Sequence, residues 1–161
     1  MELNTKGRYA VTALADLARH AGEEAVPLSV IATRQGLSLA YLEQLFLKLR
    51  RAGLVESARG RTGGYKLCRP AESISVAEIM LAVEEGVRMT RCRGDDSAPC
   101  QAGERCLTHD LWDALGAEIA RFLDRVTLAE VIDGSLGERR RASRASGNAA
   151  STGPRGAPAN G

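Results

Sequence analysis

The chain has 161 residues, 44% of them hydrophobic and 26% charged, which suits a globular unit with an apolar core. At 4%, aromatic residues are too few for a platform that stacks single-stranded bases. No apolar run approaches the roughly 18 residues that cross a bilayer. Met1–Lys6 also lacks the apolar stretch of a secretory signal, so a soluble cytoplasmic protein with no membrane partner is expected.

The net charge of +2 conceals a segregated pattern. Residues 1–70 carry 11 Lys/Arg against 6 Asp/Glu, residues 71–133 carry 6 against 13, and residues 134–161 carry 5 against 1. A basic first part beside an acidic second part suggests a polyanion-binding module joined to a unit of another kind.

Met1–Leu3 suit a short strand. A helix is predicted from Thr5, its expected N-cap, to about Gly22, with Tyr9, Ala10, Ala13, Leu14, Leu17 and Ala18 on one face. After Pro27, Ser29 is the expected cap of a short helix through Arg34, stopped at Gly36. Ser38 should cap a longer helix over 39–52, whose Leu42, Leu45, Phe46 and Leu49 form a buried stripe before Gly53 closes it. Leu54–Ala58 reads as a strand, Arg59–Gly64 as a glycine-rich turn and Tyr65–Cys68 as the return strand. Helix, tight turn, helix and hairpin in that order is the layout of a winged helix.

Ser75–Glu78 is a capping box, opening a helix of about ten residues that carries Ile79, Met80 and Val83 inward. Residues 86–104 are polar and aperiodic. A long helix is predicted from Arg105 to about Val126, with Leu107, Leu111, Trp112, Leu115, Ile119, Phe122 and Val126 three or four apart. No other element is large enough to cover so much apolar surface, so a helix-to-helix homodimer is its simplest partner. Thr127–Glu130 is a second capping box for a last helix to about Asp133, and the chain beyond Gly134 should be disordered. The expected fold is mainly α with a small β-wing: a winged helix-turn-helix DNA-binding domain over 1–70, a ligand-binding loop and dimerisation helices over 71–133, and a tail over 134–161.

Phosphates attract clustered Lys and Arg whatever the sequence, and the major groove admits one helix. The helix over 39–52 turns Ala40, Tyr41, Glu43, Gln44, Lys48 and Arg51 away from its apolar stripe. Tyr41 and Gln44 can hydrogen-bond to bases or phosphates, Ser38 stands where helix amides favour a phosphate, and Lys48, Arg50 and Arg51 can neutralise backbone charge. Glu43 is repelled by phosphate yet can accept from cytosine N4, which makes it a candidate discriminator between operators. Arg59, Gly60 and Arg61 place two guanidinium groups on a tight turn suited to a narrow minor groove. A charged helix face that only meets solvent is the plain alternative.

Cys92, Cys100, Cys106 and His109 offer three thiolates and an imidazole, good ligands for zinc or for an iron–sulfur cluster. Cys106 and His109 are three apart at the predicted start of the long helix, where they would share a face. Spacing alone does not separate the two metal centres, and free thiols in a loop are the plain alternative. Cys68, in the return strand, reads as a small half-buried side chain.

Thr5–Ala13, Gln35–Ser38, Tyr41–Phe46, Gly53–Val55 and Arg105–His109 with Leu111-Trp112 resemble the IscR-like regulators, in order and nearly without gaps from about residue 1 to 133. The resemblance implies a dimeric winged-helix transcription factor, one [2Fe–2S] cluster per subunit on Cys92, Cys100, Cys106 and His109, and cluster-assembly proteins as donors. It also implies repression of a cluster-biogenesis operon by the holo form and action of the apo form at a second operator class. The chain departs from the family in a longer interval between Cys92 and Cys100, and in Arg61-Thr62 where a proline and a glycine are expected. Cys68 has no ligand counterpart there.

A histidine ligand puts less negative charge on the iron than a fourth thiolate, which raises the reduction potential. Ligation would tie the 92–106 loop to the long helix and bias the reading heads across the dimer, on an imperfect palindrome with half-sites about one helical turn apart or a multiple of it. Two rival functions are a related repressor sensing nitric oxide or redox state through another metal centre or thiols, and an enzyme using Cys106 as nucleophile and His109 as base. No third catalytic partner or substrate-pocket motif accompanies that pair.

Overall fold

The computed structural model describes residues 5–20, 24–58, 63–84 and 107–137. The order is α1 (Thr5–His20), α2 (Leu28–Gln35), α3 (Leu39–Arg51), β1 (Val55–Ala58), β2 (Gly64–Leu67), a 3-10 turn (Ala71–Ser73), α4 (Val76–Ala82), α5 (His109–Arg125) and α6 (Leu128–Asp133). The described residues form a mostly helical fold with a two-stranded antiparallel sheet.

Period-3.6 burial builds the core. Ala10, Ala13, Leu14 and Leu17 of α1 meet Leu42, Leu45, Phe46 and Leu49 of α3, all at most 3% exposed. Burying a leucine or phenylalanine contributes about 2 kcal/mol, so the four inward side chains of α3 fix which of its faces remains outside. Ile74, Ile79, Val83 and Leu128 join the same cluster, so α1–α3 share their core with the 3-10 turn, α4 and α6.

Local signals set several boundaries where they were expected. Gly36 ends α2 at φ +63°, and Gly53 follows α3 at φ +71°, both in the left-handed region that glycine tolerates. Both capping boxes form: Glu78 N donates to Ser75 Oγ at 3.2 Å and Ser75 N to Glu78 Oε2 at 2.9 Å. Glu130 N donates to Thr127 Oγ1 at 3.3 Å and Thr127 N to Glu130 Oε2 at 2.9 Å. The capping residues themselves face one another as an antiparallel bridge, closed by Val76 N to Val126 O and Leu128 N to Ile74 O, each 2.8 Å. Arg69 adds a 2.6 Å bond to Glu78 and a 2.9 Å bond to Ser73 O.

Other expectations are corrected. Thr5 is already helical. Pro27, not Ser29, precedes α2; its carbonyl accepts from Val30 N at 3.1 Å and Ile31 N at 3.4 Å, which puts Ser29 inside the first turn. α4 has 7 residues rather than about ten, because Glu84 adopts a left-handed conformation two residues past its end. α5 begins at His109 rather than at Arg105, with Leu107 and Thr108 in a turn ahead of it. Gly64 belongs to β2, paired with Ala58, instead of the turn. Cys68 is exposed, not half-buried, and partial desolvation with the nearby Glu56 carboxylate pushes its thiol pKa up, away from reactive thiolate. The chain keeps regular structure past Gly134: Ser135 N donates to Asp133 Oδ1 at 2.8 Å, Gly137 N to Gly134 O at 3.0 Å, and Leu136 packs on a second cluster of Val76, Met80 and Val126. The expected strand at Met1–Leu3 and the tail beyond Gly137 lie outside the described residues.

Candidate nucleic-acid interface

α1 and α2 are joined by a buried polar contact that sequence reading passed over. Asp16 stands on the inner side of α1, its side chain 1% exposed. It accepts from Arg34 Nε at 3.0 Å on Oδ1 and 3.1 Å on Oδ2, from Arg34 Nη2, and from Gln35 Nε2 at 2.6 Å on Oδ2. Burial pushes this carboxyl up, but the Arg34 and Gln35 hydrogen bonds and the charges of Arg34 and His20 outweigh it and hold the group below its ordinary value. Arg34 and Gln35 are the last two residues of α2, so Asp16 pins that helix end, and the turn into α3, to α1.

With its apolar stripe inside, α3 presents Ala40, Glu43, Gln44, Arg50 and Arg51 to solvent. Ser38 is exposed and precedes the helix, but its side chain makes no capping bond. Two residues on this face were missed: Leu39 and Leu47 are 41% and 38% exposed. Leu47 follows Glu43 by four and Gln44 by three, a spacing that places it in the same row, and apolar side chains there suit a thymine methyl.

Two predicted contact residues are turned toward partners inside the chain. The Tyr41 ring is half-buried and meets Tyr9 of α1 edge-on, with centroids 6.0 Å apart. Tyr41 precedes Leu45 by four, so it borders the buried stripe and is drawn against α1. Lys48 is half-buried, and its Nζ lies 2.6 Å from Glu84 Oε2.

The hairpin that follows packs directly on the helix. β1 and β2 pair from Val55↔Leu67 to Ala58↔Gly64. Tyr65 stacks edge-on against Phe46 of α3 at 4.9 Å. Tyr65 also exchanges two backbone bonds with Val26, of 3.0 and 2.9 Å, so the segment before α2 lies alongside β2. Arg59, Gly60 and Arg61 fall outside the described residues, between the paired ends Ala58 and Gly64.

Cys92, Cys100 and Cys106 also fall outside them. His109 is the first residue of α5, half-buried, with Thr108 as the residue ahead of the helix. Among the described residues no group of three potential metal ligands comes together. α5 buries none of its side chains: Leu111 is 60%, Trp112 40% and Phe122 53% exposed, with Leu107 just ahead fully exposed. No described helix is long and apolar enough to cross a membrane.

Comparison with known proteins gives this geometry a family. Residues 3–134 match the family described as "Rrf2: Iron-dependent Transcriptional regulator". The chain is 53% identical over 133 residues to the HTH-type transcriptional regulator IscR of Erwinia tasmaniensis, covering 83% of this chain and 79% of that protein. The same 53% over 133 residues relates it to IscR of Serratia proteamaculans, covering 83% and 80%. Among solved structures, T. potens IscR superposes with a TM-score of 0.67 at 38% identity, covering 84% of this chain and 88% of that one. CymR, the global cysteine regulator of B. subtilis, superposes with a TM-score of 0.67 at 32% identity, covering 83% and 97%. These relatives are regulators, not enzymes, which removes the reading of Cys106 and His109 as a nucleophile and its base. With the match running from ahead of α1 to the end of α6, the chain belongs to the Rrf2 family of transcriptional regulators.

Proposed function

We propose that the chain is a homodimeric DNA-binding regulator, chiefly a repressor, of iron–sulfur cluster biogenesis genes, which senses cluster status through a [2Fe–2S] cluster in each subunit. The observation that carries the DNA-reading part is the exposed row Ala40, Glu43, Gln44, Leu47 and Arg51 on a helix whose opposite side is wholly buried. A row of this kind fits the major groove, and the uncapped helix start at Ser38 fits a phosphate. Arg59, Gly60 and Arg61 would meet the adjacent minor groove. Tyr41 and Lys48 would contact the backbone only after leaving Tyr9 and Glu84. Within the shared core, residues 1–70 supply the reader, 71–133 the sensor and the dimer contact, and 134–161 a tail.

Cys92, Cys100, Cys106 and His109 are a donor set that fits a [2Fe–2S] cluster: soft thiolates with one neutral imidazole. His109 opens α5, where the positive end of the helix dipole favours the negative charge such ligands bring. When bound, the cluster supplies a redox-active centre whose presence follows the cellular supply, with the assembly machinery as its donor. The uncovered apolar side of α5 is the surface through which a second copy would dock.

Protein purified without oxygen should be coloured and contain iron and acid-labile sulfide, whereas the Cys92/Cys100/Cys106→Ala variant should be colourless. The variant should keep its affinity for duplex DNA of mixed sequence and change its preference among operators selected by the wild type. A colourless wild type carrying zinc would overturn the cluster reading. Glu43 gives a separate expectation. Glu43→Ala should tighten binding to operators that lack a suitably placed cytosine, narrowing the ratio between operator classes by about ten-fold, the value of one base contact. Unchanged relative affinities in a competition assay would remove that role.

A further inference from the structure

Just past α4 stands a residue unsuited to its conformation. Glu84 has φ +64°, whereas the other described residues with positive φ, Gly36, Gly53 and Gly134, are all glycines. A side chain there is disfavoured, and glycine is the usual choice just past a helix end. The Glu84 side chain reaches across to the reading helix. Its Oε2 accepts from Lys48 Nζ at 2.6 Å, and Lys48, with Lys6 of α1 more distantly, holds the carboxyl below its ordinary range. Lys48 lies four residues after Gln44 and three before Arg51, so all three run down one flank of α3. An acidic group beside the flank that follows a phosphate strand opposes binding there.

We propose that Glu84 sets the affinity of the reader by competing with DNA phosphate for Lys48. This rests on the reading of α3 as the DNA-contacting helix. Magnitude favours competition over a structural lock. The Glu84 side chain is 75% exposed, and an ion pair so open to water is worth at most about a five-fold change in an equilibrium constant. A phosphate on an incoming duplex can displace it, at a cost that appears as weaker, sequence-independent binding.

The test uses full-length protein and a duplex of mixed sequence, titrated by fluorescence anisotropy across a series of salt concentrations. Glu84→Gln removes the charge, and Glu84→Gly removes the side chain while easing the left-handed backbone, so the second variant guards against misfolding in the first. Both should bind about two- to five-fold tighter than wild type at low salt. The slope of log K against log salt should steepen by up to about 0.9, the value of one added phosphate contact. Glu72→Gln, an equal charge change at the exposed 3-10 turn, should do neither, and Glu84→Gln should gain nothing in a Lys48→Gln background. Affinity and slope like those of wild type or Glu72→Gln would overturn the proposal. Weaker binding would also overturn it, because Glu84 would then position Lys48 rather than withhold it. In either case the wild type still binds the duplex. A wild type that binds no duplex at all would instead defeat the reading of α3, and this inference with it.

Discussion

Replacing Asp16 by alanine should destabilise the protein by about 3 kcal/mol, without any change in the exposed residues of α3. The carboxylate is 1% exposed and receives every polar bond that joins α1 to α2 through Arg34 and Gln35. Removing it strands the Arg34 guanidinium, whose side chain is 32% exposed, so water recovers part of the loss and the cost falls at the lower end of the range for broken buried pairs. Arg34→Ala should cost at least as much at neutral pH, because it leaves a nearly inaccessible carboxylate without its guanidinium partner and with Gln35 as its remaining hydrogen-bond donor. Urea unfolding monitored by circular dichroism measures both.

The two variants should differ in their response to acid. In the wild type, Asp16 titrates below its unfolded value, so its contribution is present above about pH 4 and is lost as pH falls through the lower, folded pKa. Asp16→Asn should therefore show a shallower acid limb, with Glu78 still contributing because its Arg69 hydrogen bond and Ser75 amide hold it low as well. In Arg34→Ala, burial acts with much less opposition and raises the folded pKa. Protonation then relieves the buried charge, and the deficit relative to wild type should shrink as pH falls through the variant's raised folded pKa. A deficit that grew on acidification would show that Arg34 is not what holds Asp16 ionised.

Local signals were the readable ones. The capping boxes at Ser75 and Thr127, the glycine stops at Gly36 and Gly53, and the α3 stripe each involve residues within a few positions of one another. Errors came where two local signals competed or where the partner was distant. At the start of α2, Pro27 and Ser29 both suit a helix beginning, and the Pro27 carbonyl takes the first bonds. Asp16 pairs with residues 18 and 19 positions away. Its signal was nevertheless present: a carboxylate amid Ala13, Leu14 and Leu17 on an inward face requires a buried partner. Tyr41 and Lys48 illustrate the same limit at the candidate interface. Periodicity gives a residue's angle on the helix, but only packing reveals that Tyr9 and Glu84 are there to receive these two.

Gly64→Ala should be the most damaging single-methyl change in the wing, costing about 3 kcal/mol. A Cβ on Gly64 would sit 2.5 Å from Val26 O and 2.8 Å from Pro27 N, and would also overlap the Val26 carbonyl carbon. These are backbone atoms, so no side-chain rotation relieves the clash; the segment before α2 must separate from β2. Separation strains or breaks the two bonds between Val26 and Tyr65, about 1 kcal/mol each, beyond the usual cost of overpacking. Gly137→Ala is the matched control, since its Cβ would meet nothing within 4 Å, and it should be neutral or slightly stabilising. The consequence reaches the interface through Tyr65, whose ring holds β2 against Phe46 of α3 at 4.9 Å. If the wing touches DNA, Gly64→Ala protein that remains folded should bind duplex more weakly and with a flatter salt slope, having lost the Arg59 and Arg61 contacts while α3 keeps its own. An unchanged slope in folded Gly64→Ala protein would mean that the wing contributes no phosphate contacts.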